Sequence, residues 1–250
     1  MTNYHYGDIT SIYYCWGDTM NNIIYHGSSN IIQEPVFGAG NNKNDYGLGF
    51  YCTENAELAK EWACSDASLN GYANEYSVDL SKLNILKLTN NEYNILNWLA
   101  ILLDNRTFTI TNQVATQAKD YLLSNFLPDI NEFDVIIGHR ADDSYFAFAN
   151  DFINNTISLQ QLENAMYFGN LGEQIVLKSK KSFNSLEFLN SIPANAYEYY
   201  IKRKKRDYMA RKDYLKKERQ NISAEDLFIL DILRQEMKSD HESLQRKLSI

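Results

Sequence analysis

Cysteine is scarce in this 250-residue chain. Cys15, Cys52 and Cys64 are the three present, too few and too odd in number for a disulfide framework, and no Cys-x-x-Cys pair points to a metal or redox motif. A reducing compartment is the expected setting. Proline is equally sparse, at three, with eleven glycines, so long regular elements joined by compact turns are expected. No run approaches the ~20 apolar residues of a membrane-spanning helix, and no membrane partner is expected. The opening "MTNYHYGDITSIYYCWGD" has no basic flank followed by an apolar core, which is unlike a signal peptide; a cytoplasmic location is the expectation. A Gly-x-Gly-x-x-Gly after a strand and a P-loop are both missing, which excludes Rossmann-like dinucleotide binding. Ser-His-Asp and Cys-His pairs with supporting spacing are missing too.

What is present is an ordinary globular composition, 44% apolar and 22% charged, in a chain long enough to bury a substantial core. Charge is unevenly spread. "KRKKRDYMARKDYLKKER", from Lys202 to Arg219, carries ten Lys or Arg against three Asp or Glu, a local +7; with −8 on the whole chain the remainder carries −15. This segment therefore suits an acidic surface, whether nucleic acid, a partner or the protein's own body.

Short apolar runs predict strands at "NIIY" (22–25), "GFYC" (49–52), "EYSVDL" (75–80), "NILKL" (84–88), "DVIIG" (134–138) and "EQIVLKS" (173–179). Helices fit between them. "ENAELAKEWACSDA" (54–67) places Leu58, Ala59, Trp62 and Ala63 on one face, with Thr53 as the expected cap. Residues 92–105 and 112–126 are apolar enough to pack on a sheet, and 158–168 opens with Ser158 and Gln161 at capping-box spacing. After "SIPANAY" (191–197) the chain turns long, charged and helical, with Leu227, Leu230, Ile232 and Leu233 at helical spacing near its end. The expected organisation is an α+β domain over 1–193 and a charged helical extension over 194–250.

Chemistry-bearing residues cluster at strand ends. "YHGSSN" places His26 beside Gly27 and Ser28; "YGLGFYCT" places Tyr46 and Tyr51 around Gly47 and Gly49; "EQ", residues 173 and 174, opens a late strand. Alternating faces let each strand aim one polar side chain into a shared cleft, and a glycine beside it leaves room for a ligand to approach the backbone. "IIGHRADDSYF" (136–146) adds His139, Arg140, Asp142, Asp143 and Tyr145 in a strand-to-helix loop. Turn and capping roles explain its aspartates more simply than a metal site. Cys52 and Cys64 read as small apolar fillers.

The ordered set of His-Gly-Ser, then Tyr-Gly-x-Gly-x-Tyr-x-Thr opening a helix, then a polar residue starting a late strand, resembles the His-Tyr-Glu group of ADP-ribosyltransferases, which includes diphtheria toxin and the poly(ADP-ribose) polymerases. Through "YHGSSNII", "YGLGFYCTENAELAKEWA", "FDVIIGHRADDSYF" and "LGEQIVLKSKKSFNSLEF" the chain more closely resembles a bacterial family placed in that superfamily, domain-of-unknown-function family 3990. The resemblance implies a split β-sheet core with flanking helices. It implies NAD as substrate, no metal, and mono-ADP-ribosyl transfer to a macromolecular acceptor, protein or nucleic acid, by a toxin or phage-defence effector with a cognate antitoxin among its partners. It further implies that His26 bonds a ribose hydroxyl, that the Gly27 backbone holds the carboxamide and Tyr51 stacks on nicotinamide, and that Ser28, Tyr46 and Gly49 line the site, with Arg140 a phosphate contact.

In that group a glutamate at the late strand stabilises the cation formed as nicotinamide leaves. Alignment on the following "SF" puts Gln174 there and Glu173 one residue earlier, and adjacent strand residues face opposite ways. Either is a candidate for the catalytic position. Two other readings stay open: an NAD- or ADP-ribose-binding module of weakened catalysis acting through its helical tail, and a transferase delivered to nucleic acid by the basic segment.

Overall fold

The computed structural model describes residues 22–90, 92–141, 143–166, 172–217, 223 and 225–245. Cys15, Asp142, residues 167 and 168 of the expected 158–168 helix and residues 218 and 219 of the basic segment lie outside them. In chain order the elements are β1 (Asn22–Ser28), β2 (Phe50–Cys52), α1 (Ala56–Ala63), β3 (Gly71–Val78), β4 (Ile85–Lys87), α2 (Ile95–Asn105), α3 (Gln113–Asn125), β5 (Val135–His139), α4 (Asp143–Ile153), α5 (Leu159–Ala165), β6 (Glu173–Leu177), α6 (Lys180–Asn184), β7 (Leu186–Ala194), α7 (Ala196–Lys217), α8 (Ile229–Arg234) and α9 (Glu242–Gln245). The class is mixed α+β. Among the described residues no helix is long and apolar enough to cross a membrane.

The strands form two sheets, one ordered β1-β3-β7 and the other β2-β6-β5-β4. All pairs are antiparallel except β4 with β5. Strand parity sorts the second sheet's side chains into two cores. Ile136 and Val176 face a helical layer in which Leu96, Trp98, Leu99, Leu102, Phe152 and Leu162 are buried. Their neighbours Val135, Ile137, Ile175 and Leu177 face the other way, joining Ile24, Phe50, Cys52, Tyr76 and Val78 in a second core that links the sheets. Cys52 and Cys64 are buried free thiols, filling apolar space as expected.

Local chemistry sets the helix starts. Ser158 and Gln161 form the expected capping box, closing α5 with bonds of 3.2 and 2.8 Å. The start of α1 differs from expectation: Asn55, not Thr53, caps it, its Oδ1 accepting from Glu57 N and Leu58 N at 2.9 and 3.2 Å. Thr53 instead holds Asn55 through its hydroxyl, which accepts from Asn55 N at 3.2 Å.

Strand β7 is absent from the sequence expectation. It is an edge strand, where Pro193 is tolerated because one side of the ladder needs no donor. The pairing of Glu75 with Asn190 and Tyr76 with Phe188 leaves Leu189 unmatched, a bulge that turns this leucine outward.

The described residues of the 194–250 segment pack on the α+β layers. Tyr214, Ile229, Ile232, Met237 and Leu244 are buried in the helical core. Helix α7 is held to α1 by Arg206, whose Nε and Nη2 donate to the two carboxylate oxygens of buried Glu61 at 2.9 and 2.7 Å. A bidentate fork of this kind fixes the angle between the helices as well as neutralising a buried charge.

Candidate functional site

The two sheets meet at Tyr25, midway along β1, and Thr53, the residue that follows β2. Tyr25 and Thr53 exchange backbone bonds across that junction, N to O distances being 2.8 and 3.0 Å. One residue beyond it, His26 Nδ1 lies 2.7 Å from the Tyr51 carbonyl oxygen, and its ring stacks on Phe50 at 4.2 Å between centroids. A carbonyl only accepts, so Nδ1 carries the hydrogen and Nε2 of the neutral ring is an acceptor. Burial lowers the His26 pKa below its ordinary value, an effect larger than the opposing contribution of the Tyr51 carbonyl, and so favours that neutral form.

Residues 173 and 174 point to opposite sides of β6. Gln174 is opposite Gly138 and on the helix-facing side; it is 4% exposed, and its Nε2 donates to Asp45 Oδ2 at 3.1 Å. Among the described residues its Oε1 is buried without a hydrogen-bond partner. Glu173, opposite His139, lies at the other face. Its carboxylate accepts from the Thr89 hydroxyl and stands 3.9 Å from Lys87 Nζ. It also lines a cleft of about 200 Å³ together with Thr53, Glu54, Asn55, Leu58, Ile137, Gly172 and Ile175. The pKa of His139 is lowered by burial, with a smaller upward pull from the Glu173 charge.

The glycines serve packing. A Cβ on Gly27 would stand 2.0 Å from Ala59 O and 2.8 Å from both Ala63 N and Trp62 Cβ, so this residue is glycine because α1 lies against β1. At Gly49 a Cβ would meet Val176 Cγ1 at 2.6 Å. The space expected for a ligand is filled by α1 at one and by β6 at the other. Gly47 adopts φ +72°, turning the chain so that Tyr51 Oη donates to its carbonyl at 2.6 Å and accepts from Tyr46 N at 3.0 Å. Burial, the largest influence, raises the Tyr51 pKa far above its ordinary value and keeps the phenol neutral. Tyr46 is fully buried, its hydroxyl donated to His139 O at 2.6 Å. It therefore presents no surface to a ligand, contrary to the expectation that it lines the site. Ser28 turns its hydroxyl to Asn30 N at 3.2 Å.

Two residues that sequence reasoning passed over tie these pieces together. Asp45 is 7% exposed and accepts from Arg106 Nη1 at 2.8 Å, Ala141 N at 2.9 Å and Gln174 Nε2 at 3.1 Å. Trp62, expected only as core, lies against Gly27 and beneath the Arg140 guanidinium, 4.3 Å from ring centroid to Cζ. Among the described residues its Nε1 is buried without a hydrogen-bond partner. Arg140, expected as a phosphate contact, is thus held by a ring on α1. Among the described residues no group of three or more His, Cys, Asp or Glu side chains is placed to hold a metal ion. Asp143 opens α4, and Tyr145 is buried in the helical core.

His26, stacked on Phe50, and Glu173 therefore lie on one face of the junction, whereas Tyr46, Gln174 and the ring of Tyr51, which packs against the helical core, lie on the other. A family model described as "Protein of unknown function (DUF3990)" matches residues 22–188. The chain belongs to the DUF3990 family. The match runs from β1 into the start of β7, taking in the whole junction and stopping short of α7. No curated protein and no solved structure matches this DUF3990 protein.

Proposed function

We propose that this DUF3990 protein is an NAD-dependent mono-ADP-ribosyltransferase of toxin or defence-effector type, acting on a macromolecular acceptor. The observation that carries this reading is the junction itself: a neutral histidine beside the Tyr25–Thr53 bridge, its Nε2 without a hydrogen-bond partner among the described residues, and a glutamate lining a cleft to which Thr53 also contributes. Nε2 of His26 suits a ribose hydroxyl, which must donate. The Glu173 carboxylate suits a positive charge developing on the ribose, since a fixed anion beside developing positive charge stabilises it. Glu173, rather than Gln174, is assigned the catalytic position.

In the proposed transfer, the bond from ribose C1′ to the nicotinamide nitrogen breaks and its electron pair leaves with neutral nicotinamide. An acceptor nucleophile bonds to C1′ and gives its proton to Glu173 or to water. A single transfer is favoured because Thr89 and Lys87 already engage the Glu173 carboxylate, leaving fewer of its lone pairs to orient a further ribose hydroxyl.

Those same contacts favour a second reading, an NAD- or ADP-ribose-binding module with little turnover. Incubation with labelled NAD and cell lysate, with nicotinamide release measured in parallel, tests both. Labelled macromolecule and free nicotinamide, lost in His26→Ala and Glu173→Gln but kept in Gln174→Met, support the transferase. Calorimetric NAD binding without nicotinamide release selects the module, and absence of both binding and release refutes the two together.

A further inference from the structure

Helix α7 has two faces of opposite character. Tyr199, Arg206, Ala210 and Tyr214 point inward, with Tyr199 bonded to Glu57 and Arg206 to Glu61. The outward face exposes Tyr197 at 81%, Ile201 at 52%, Tyr208 at 62% and Leu215 at 50%, with Met209 beside them. These four are separated by four, seven and seven residues, the spacing of a coiled-coil seam. Lys204, Lys205, Lys212 and Lys216 are exposed along the same face, and among the described residues none of them forms an ion pair. One acidic residue, Glu198, shares the face and is bonded to Lys202.

The geometry points to this face as a docking site for an acidic amphipathic helix of another protein, one that lays an apolar seam on Ile201, Tyr208 and Leu215 and sets glutamates or aspartates against the lysines. From Tyr197 to Leu215 the seam is ~27 Å long, matching a partner helix of about five turns. Three alternatives fit less well. A second copy would bring lysines against lysines. A nucleic acid would use the lysines and stack on the tyrosines but leave Ile201, Met209 and Leu215 without a complement. An anionic membrane or a long polyanion would also feel the −15 carried outside the basic segment, whereas one acidic helix keeps its contact within about a Debye length of α7. The site lies on α7 and does not depend on the transferase reading.

The test uses the full chain and a labelled 21-residue helical peptide with leucine at the seam positions and glutamate flanking them, followed by fluorescence anisotropy and by hydrogen exchange. Saturable binding is expected, weakened by raising salt from about 50 to 300 mM, with protection falling on α7. Ile201→Asp, and separately Lys204→Glu with Lys212→Glu, should each weaken binding at least tenfold while circular dichroism is unchanged, and the lysine-reversed chain should bind a peptide whose glutamates are replaced by lysine. The inference is overturned if the acidic peptide fails to bind, or if binding is unmoved by both sets of substitutions. It is equally overturned if a 20-nucleotide single-stranded RNA or phosphatidylglycerol vesicles bind more tightly than the peptide, or if sedimentation shows the chain associating with itself through α7.

Discussion

Replacing Asp45 with alanine removes the acceptor for three donors at once: Arg106 Nη1, Ala141 N and Gln174 Nε2. The donors do not suffer equally. Arg106 keeps the Ala141 carbonyl at 3.0 Å and its stacking on Phe146, and its side chain is 28% exposed, so part of its charge is still solvated. Ala141 N and Gln174 Nε2 sit on buried residues, where each orphaned donor costs about 1–3 kcal/mol. With a reduced contribution from the broken ion pair, the total is about 3–5 kcal/mol. For a domain of this size that lowers the melting temperature by roughly 6–20 °C.

Urea denaturation of wild type, Asp45→Ala and Asp45→Asn should show the alanine losing most and the asparagine, which keeps one acceptor oxygen, losing about half as much. Gln174→Met removes the amide whose Oε1 is, among the described residues, buried without a partner and should cost less than ~1.5 kcal/mol. In the double variant the two effects should fall short of additive, because Asp45 then has one fewer donor to abandon. A loss below ~1 kcal/mol for Asp45→Ala at unchanged denaturant slope would refute the view that this carboxylate organises the junction.

Gly27→Ala should cost more than ~3 kcal/mol or prevent folding, because the new methyl would meet backbone atoms of α1 rather than a flexible side chain; a soluble variant with wild-type melting would show that α1 moves aside freely. Burial pushes the Glu163 pKa up to about 7. A carboxyl raised in the folded state contributes stability that is complete below its unfolded pKa and lost as pH rises through about 7. Glu163→Gln should therefore match wild type near pH 4.5 and exceed it by about 2–3 kcal/mol at pH 8, measured by denaturation at the two pH values. His26 has the opposite sign. Its folded pKa is lowered, so transferase activity that uses Nε2 as an acceptor should hold from neutral pH to below 6.5 and fall on further acidification, whereas a pH–rate profile falling above pH 6.5 would mean that the charged ring is required.

Much of the scaffold was legible because its signals are local. Apolar runs at 134–138 and 173–179 mark central strands buried on both faces, and Ser158 with Gln161 marks a helix start within four residues. Strand β7 was hidden by the features that make it an edge: Pro193, Asn190 and the unmatched Leu189 interrupt the alternation of Leu186, Phe188 and Ile192. Thr53 and Asn55 are both competent caps, and only the backbone path decides between them. Asp45 and Arg106 stand 61 residues apart, one in an asparagine-rich loop and one at the end of α2. No periodicity joins them.

The glycines and the late strand are harder, since in both the sequence poses the right question and tertiary structure supplies the answer. A glycine beside a strand-end histidine announces that something comes within reach of its missing side chain, yet the pattern is the same for a ligand and for a helix. At Gly27 the visitor is α1. That moves the proposed chemistry from the glycines' side to the side of Phe50, where His26 stacks. The pairing of Phe50 with Leu177 and Cys52 with Ile175 carries the same parity along β6, putting Glu173 on the His26 side and Gln174 behind with Asp45. One step of strand alternation thus separates a carboxylate that lines the cleft from an amide sealed in the helical core, and substitutions at 173 and 174 should affect activity and stability respectively.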